Sequence, residues 1–347
     1  MNRIDPFIEF EMIAFDNSAL WLKLKGAHIL ITGGTGFFGK WILEFLSFIN
    51  SQLGLDLTVS VLSRSPDHFA KSMPHLFQDH FLNLVKGDVR TFNPSVNSYS
   101  HIIHGAAPAN LLMDIERPHD MFDVIVSGTR NILNVANKCR DPVVLFISSG
   151  AVYGPLSNDI EEVPETCFTA SDRPRTKTSG YMDGKRAAEY LCTKEWKTFE
   201  TRVLTLRCFA FLGPYLPVDS HFAIGNFIYD AVQQKPPMIK GDGQAIRSYL
   251  YSSDLAYWVT KMLIVGEPGD TINIGSDKAI TIGDLARTIS RILGAPPPVI
   301  LNQVKTHADR RRYVPSMVYG NAKYGLEQTV SLEEGVLRTA HFLDWSN

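Results

Sequence analysis

Cysteine is scarce in this 347-residue chain, with four residues at 139, 167, 192 and 208, no Cys-x-x-Cys pair and no cluster of histidines. That scatter offers neither a structural zinc site nor a disulfide framework, so no metal is expected and a reducing, cytoplasmic setting fits. Basic excess is absent too. The formal net charge is −2, so nothing in the charge suggests a nucleic-acid partner. No run of about 18 apolar residues occurs, so no membrane-spanning helix is expected. Residues 1–26 carry Asp5, Glu9, Glu11 and Asp16 among their apolar residues. Those acids break any signal-peptide core, and the segment reads as an N-terminal extension packed on the body. Internal repeats and low-complexity stretches are missing as well.

What is present is an ordinary globular proportion of hydrophobic residues, 45%, in a repeating order. Short apolar runs at Ile29–Ile31, Leu57–Leu62, Leu82–Lys86, His101–His104, Val143–Ile147 and Arg202–Arg207 read as buried strands. Helical spacing falls between them, at Lys40–Asn50, Pro118–Lys138 and Tyr181–Lys197. Strands alternating with helices predict an α/β fold, a Rossmann-like doubly wound parallel sheet. Near residue 211 the texture changes, with prolines at 214, 217, 236 and 237 and again at 296–298. The expected division is a dinucleotide-binding domain over 27–210 and, over 211–347, mostly a smaller α/β substrate lobe. A strand near 271–275 could return from that lobe to the main sheet.

The first strand runs into Thr32-Gly33-Gly34-Thr35-Gly36-Phe37-Phe38-Gly39. Apolar run, tight glycine turn and helix are the order that sets a pyrophosphate at a helix N-terminus, where N–H groups lack partners and the dipole favours negative charge. The second strand ends in Ser63-Arg64 rather than an acid. A carboxylate there would hold the ribose 2′-hydroxyl of NAD, whereas an arginine suits the extra phosphate of NADP. The expectation therefore leans to NADP over NAD. Tyr181 and Lys185 stand four apart, on one face of a helix. A phenol is a poor base at its ordinary pKa of about 10; a nearby ammonium, together with the nicotinamide cation when oxidised cofactor is bound, would lower it. Ser149, at the end of the fifth strand, can hold a substrate oxygen.

These motifs together resemble the extended short-chain dehydrogenase/reductase family, the nucleotide-sugar epimerases, dehydratases, decarboxylases and reductases. The glycine turn matches that family's Thr-Gly-x-x-Gly-x-x-Gly, Gly87-Asp88 its adenine-side Gly-Asp, and His104-Gly105-Ala106-Ala107 its His-x-Ala-Ala. Ser149 stands four residues before the Tyr of Val152-Tyr153-Gly154, and Tyr181 with Lys185 fills Tyr-x-x-x-Lys. The resemblance implies Ser149, Tyr181 and Lys185 as catalytic residues. It implies a cofactor cradle of Gly33, Thr35, Gly36, Phe37, Phe38, Gly39, Ser63, Arg64, Asp88, Val89, Ala106, Ala107, Tyr181 and Lys185. On the substrate side it implies Pro108, Ser149, Gly150, Asn226, Arg247 and Arg312. The partner would be a nucleoside-diphosphate sugar, whose phosphates suit the planar donors of arginine, and the assembly a homodimer through the helices near 119–138 and 178–197. Arg310 and Arg311 flank the second diphosphate site, and contacts to the base would come from His221–Phe227 and Met238–Ile239.

Departures from the family pattern narrow the activity. Ala210 stands where the family has Asn, and Ile125 replaces another expected Asn. The dehydratases carry Asp-Glu directly after the Ser or Thr, and the decarboxylases a Glu, where this chain has Gly150 and Ala151. Neither can move a proton, unless Glu161, Glu162 or Glu165 folds back to do so. What is left suffices for oxidation and reduction at one carbon. The resemblance then implies a 4-epimerase first, in which Tyr181 takes the 4-hydroxyl proton as hydride leaves the sugar. An NADPH-dependent 4-keto-sugar reductase, a dehydratase or decarboxylase, and a non-catalytic NADP-sensing protein follow in that order.

Overall fold

The computed structural model describes residues 7–77, 81–94, 98–108, 111–157, 159–167, 179–218, 222–301 and 312–345. Arg310, Arg311, His221 and the loop residues 168–178 lie outside them.

Seven parallel strands form the central sheet: β1 His28–Thr32, β2 Thr58–Ser63, β3 Leu82–Lys86, β4 His101–His104, β5 Val143–Ser149, β6 Arg202–Cys208 and β7 Thr271–Ile274. Their spatial order is β7-β6-β5-β4-β1-β2-β3, the doubly wound arrangement expected from the alternating pattern. Every residue of β5 is buried, which explains why it reads as a continuous apolar run rather than an alternating one. The order reverses between β1 and β4, and open sheets of this kind bind their ligands beyond the C-terminal strand ends at such a point. Every strand-end motif named above faces that edge.

The helix after β1 begins earlier than its apolar spacing indicates, at Phe37 rather than Lys40, and runs to Leu53. Gly36 is its N-cap and Gly39 lies within its first turn. The reason is contact: a Cβ on Gly39 would lie 2.3 Å from Gly34 Cα, so only glycine lets the helix start against its own turn. The N-terminal helix Glu9–Asp16 lies on this helix, with Phe10 edge-on to Phe45 at 5.0 Å and to Trp41 at 6.0 Å. Trp41 also donates from Nε1 to the carbonyl of Pro214, 2.8 Å away.

From Phe211 onward the described strands other than β7 are only two residues long. Phe211–Leu212 pairs with Leu250–Tyr251, and Met238–Ile239 with Val299–Ile300. Ile246–Arg247 lies between Ile280–Thr281 and Arg312–Tyr313. Residues 252–274 return to the main body. The helix Ser252–Val265 packs on Phe37–Leu53, and β7 pairs along β6 from Thr271↔Thr205 to Ile274↔Cys208.

Candidate active site

The glycine turn and the end of β4 touch. Gly33 has a φ of +79°, and a Cβ there would lie 2.7 Å from the backbone of Gly105. No side chain caps Gly36, and a Cβ on it would meet nothing nearer than Gly33 O at 3.4 Å. An exposed glycine at an uncapped helix start is a cradle that fits a pyrophosphate, so the site suits a dinucleotide. Thr35 and Phe37 are half-buried beside it, and Phe38 packs edge-on to Phe211 at 4.8 Å.

One buried network aligns the two strand ends. Thr129 Oγ1 donates to Ile125 O at 2.7 Å, so it accepts from Nε2–H of His104 at 3.0 Å. His104 Nδ1 then accepts from Thr32 Oγ1 at 2.7 Å, and that hydroxyl in turn accepts the Ala106 N–H at 3.2 Å. Hydrogen-bond counting thus sets the neutral tautomer. Burial, with Lys185 nearby, pushes the His104 pKa down to about 3. The histidine is a tie holding Ala106, Ala107 and Pro108 in place.

Just after β3, Asp88 is ion-paired with Arg90 at 2.8 Å, and Arg90 reaches on to Asp123 at 2.9 Å. The Arg90 hydrogen bond holds the Asp88 carboxyl down at about 2, so it is charged throughout the physiological range. Sequence reasoning missed Arg90, although it lies only two residues from Asp88. Val89 turns its side chain into the core, where it meets Gly128, and its carbonyl accepts from Asn131 Nδ2 at 2.9 Å. Ser63 uses its hydroxyl to accept the Ser65 N–H at 3.1 Å, and Arg64 is exposed.

At the reacting centre, β5 delivers Ser149 and the helix Ser179–Phe199 delivers Tyr181 and Lys185. Ser149 Oγ accepts the Ala151 N–H at 3.2 Å, and its side chain lies near enough to the Tyr181 phenol to favour the ionised form. Lys185 is 2% exposed. Its ammonium donates to Ile147 O at 2.6 Å and lies 4.8 Å from the Phe146 ring centre and 5.8 Å from that of Tyr181. Here the structure corrects the expected electrostatics. Burial pushes Tyr181 up to about 12 and outweighs the opposing influence of Ser149, while burial pulls Lys185 down to about 8. The ammonium is spent on a carbonyl and the phenol is enclosed, so the lysine alone does not produce a phenolate.

Two supports had no local signature. Asp114 Oδ1 accepts the Tyr181 N–H at 2.9 Å, a carboxylate at a helix start across 67 positions of sequence. Glu189, one turn beyond Lys185, accepts from Ser148 Oγ at 2.6 Å and pairs with Arg207 at 2.8 Å. It locks the Tyr181 helix to β5 and β6.

The substrate-side residues come from separate segments. Arg247 and Arg312 lie on neighbouring two-residue strands, with Tyr313 opposite Arg247. Arg312 donates to Glu161 O. Asn226 is half-buried on the helix Ala223–Val232. Gly150 is hemmed in: a Cβ there would lie 2.7 Å from the Phe209 ring and 2.8 Å from Tyr313 Oη. Of the three glutamates considered as substitutes, Glu165 accepts the Asn273 N–H at 2.9 Å, while Glu161 and Glu162 are exposed. Among the described residues no group of three or more His, Cys, Asp or Glu could hold a metal, and no helix is long and apolar enough to cross a membrane.

Comparison with known proteins follows this geometry. The model of the NAD dependent epimerase/dehydratase family matches residues 29–275. UDP-glucuronic acid decarboxylase 2 of Arabidopsis thaliana is 27% identical over 91% of this chain and 68% of its own. Among solved structures, an epimerase from Methanothermobacter thermautotrophicus superposes with a TM-score of 0.76 at 22% identity, covering 97% of each chain. UDP-glucuronic acid 4-epimerase from Bacillus cereus, in complex with UDP-glucuronic acid and NAD, gives 0.75 at 20% identity, over 92% of this chain and 100% of that one. At those identities the two structures speak for the fold alone.

Proposed function

This chain belongs to the NAD dependent epimerase/dehydratase family and is an NAD(P)-dependent nucleotide-sugar enzyme; from that premise we propose that it oxidises and re-reduces carbon 4 of the sugar, as a 4-epimerase. The observation that carries this reading is the convergence of Ser149, Tyr181 and Lys185 beside a position 150 that has no room for a catalytic side chain.

Tyr181 takes the proton from the 4-hydroxyl, and Ser149 holds that oxygen as it becomes a carbonyl. Lys185 places a positive charge beneath the phenol ring, and Asp114 keeps the helix start in register. A bound dinucleotide would be held by its pyrophosphate at Gly33–Gly39 and by its ribose at Lys185, and its nicotinamide would supply the hydride acceptor and donor. Arg247 and Arg312 grip the diphosphate, with Pro108, Gly150 and Asn226 around the sugar and nucleoside. Because Tyr181 is pushed up by burial in the ligand-free protein, the positive charge of oxidised cofactor is what brings the phenol into a working range. NADP is favoured over NAD, since Ser63 is not an acid and Arg64 is exposed beside Asp88. The homodimer belongs to the same reading: Phe122 and Tyr190 stand exposed on the helices Pro118–Ala136 and Ser179–Phe199.

A second reading, decarboxylation of a nucleotide-sugar acid, is favoured by the decarboxylase relatives. Oxidation at carbon 4 turns such a substrate into a β-keto acid, which can lose CO2 with little further help. One experiment separates these readings. Purified protein is incubated with UDP-glucuronic acid, UDP-glucose and their CDP-, GDP- and dTDP-counterparts, and followed by NMR. New anomeric signals without cofactor consumption support the epimerase. Release of CO2 supports the decarboxylase, and stoichiometric NADPH oxidation on addition of NADPH and a nucleotide 4-keto sugar supports a 4-keto reductase. Turnover untouched by Tyr181→Phe would overturn all three.

A further inference from the structure

β7 buries one polar side chain between two isoleucines. It reads Thr271-Ile272-Asn273-Ile274 and forms an edge of the main sheet. Ile272 and Ile274 enter the largest core, and strand alternation turns Asn273 to the opposite face. Asn273 is 0% exposed. A buried amide without partners would cost stability, and here each arm of the residue is used. Nδ2 donates to Val163 O at 2.8 Å and to Ser316 O at 3.3 Å, while Oδ1 accepts from the Tyr153 hydroxyl at 2.7 Å. The backbone N–H, on the side of β7 that has no strand neighbour, donates to Glu165 Oε1 at 2.9 Å.

The two segments held in this way also hold each other. Val163 N–H donates to Val314 O at 3.0 Å, and Ser316 N–H to Val163 O at 2.9 Å, around a single bridge at Val163↔Pro315. The apolar support is a cluster of Val152, Tyr153, Val163 and Phe209, with Tyr313 against it, separate from the two large cores. A cluster of that size contributes little burial, so directional bonds fix where this edge lies. Arg312 stands two residues before Val314 and donates to the carbonyl of Glu161, two residues before Val163. Its strand pairs with Ile246–Arg247. Both arginines proposed for the diphosphate are thus on backbone tied to the sheet at Asn273.

We propose that Asn273 is a positioning residue of the substrate half: by holding Val163 and Ser316 to the sheet edge it sets where Arg312 stands, and it acts on the substrate through that arginine. The role rests on the enzymatic reading above and goes beyond it, since Asn273 itself touches neither ligand nor reacting atoms.

The test measures exchange and kinetics on the same full-length variants. Asn273→Ala should speed hydrogen exchange at the Val163 and Ser316 amides by about tenfold and leave the amides of β5 unchanged. With whichever nucleotide sugar of the panel above is turned over, it should raise KM by about tenfold, with kcat and NAD(P) affinity within about twofold of the parent. In an Arg312→Ala background it should add less than about twofold to KM, because the group it positions is gone. Tyr153→Phe keeps the ring and removes the hydroxyl that donates to Oδ1. It should move the same amides and KM in the same direction by a smaller factor, and it carries the test where Asn273→Ala does not fold. Unmoved exchange at Val163 and Ser316, a fall in kcat in place of a rise in KM, or KM factors that multiply in full in the double variant would each overturn the role of Asn273. A parent protein that turns over none of the sugars would overturn the enzymatic reading instead, with the exchange rates still showing whether Asn273 holds the two segments.

Discussion

The two halves of the site are built in opposite ways. The cofactor half stands on long buried strands: β5 has no accessible residue, and the ends of β1 and β4 are tied by Thr32, His104, Thr129 and Ala106. The substrate half stands on two-residue strands whose arginines are half-exposed, drawn from the segments around 161, 247 and 312. Rigid backbone suits a ligand of one shape, the dinucleotide. Short strands with few hydrogen bonds suit a surface that must close on its ligand and release it. Ser149 lies at the seam, at the end of β5 and next to Gly150, against which Tyr313 packs.

Several substitutions can break or sharpen that contrast. The largest effect belongs to the seam: Tyr181→Phe should lower turnover by about 10²–10⁴-fold with cofactor still bound, read by steady-state rates alongside cofactor absorbance. Next is the cradle itself. Gly39→Ala forces a Cβ against Gly34 backbone, and a cost of about 3 kcal/mol is expected. A thermal melt should register it, together with loss of NAD(P) binding; an unchanged melt would contradict a rigid cofactor half.

Asp254 tests how the body holds the returning chain. It accepts from Thr329 N and Oγ1 and from Val330 N, yet burial raises its pKa to about 6. The folded state therefore binds a proton more tightly than the unfolded chain, so this group lowers stability as pH rises from about 4 to about 6, by 2–3 kcal/mol at most (order of magnitude). Asp254→Asn can satisfy the same partners, its oxygen accepting both N–H groups and its amide donating to the Thr329 hydroxyl. The variant should lose this pH slope and be more stable at neutral pH, as followed by denaturant midpoints across that range.

On the substrate side, Arg247→Ala should weaken nucleotide-sugar binding by about 2 kcal/mol and leave cofactor affinity unchanged in calorimetry. Coupled losses of both would join the two halves. The smallest effect is expected at Arg64→Ala, which should cost about tenfold in NADP affinity, roughly 1.4 kcal/mol, with NAD affinity unaltered. Equal losses for the two would remove the basis for preferring NADP.

Local pattern was enough for the sheet and for half of the site. Buried parallel strands must be apolar along their length, and a helix that starts against its own turn must be glycine-rich, so β1 to β7 and the cradle could be read directly from residue order. Tyr181 and Lys185 were readable because a helix sets residues four apart on one face. Tyr313, Asp114 and Arg90 were not read, for two different reasons. Arg90 had a short-range signal that went unused, Asp88 two positions away. Tyr313 meets Gly150, and Asp114 meets the Tyr181 N–H, only because the chain folds back over more than sixty residues. Protonation was likewise out of reach: a neighbouring lysine argues for a low phenol pKa, whereas enclosure of the hydroxyl, visible only in three dimensions, raises it. Periodicity and turn chemistry are local and survive in one dimension. Burial, and the meeting of distant side chains, exist only once the chain is packed.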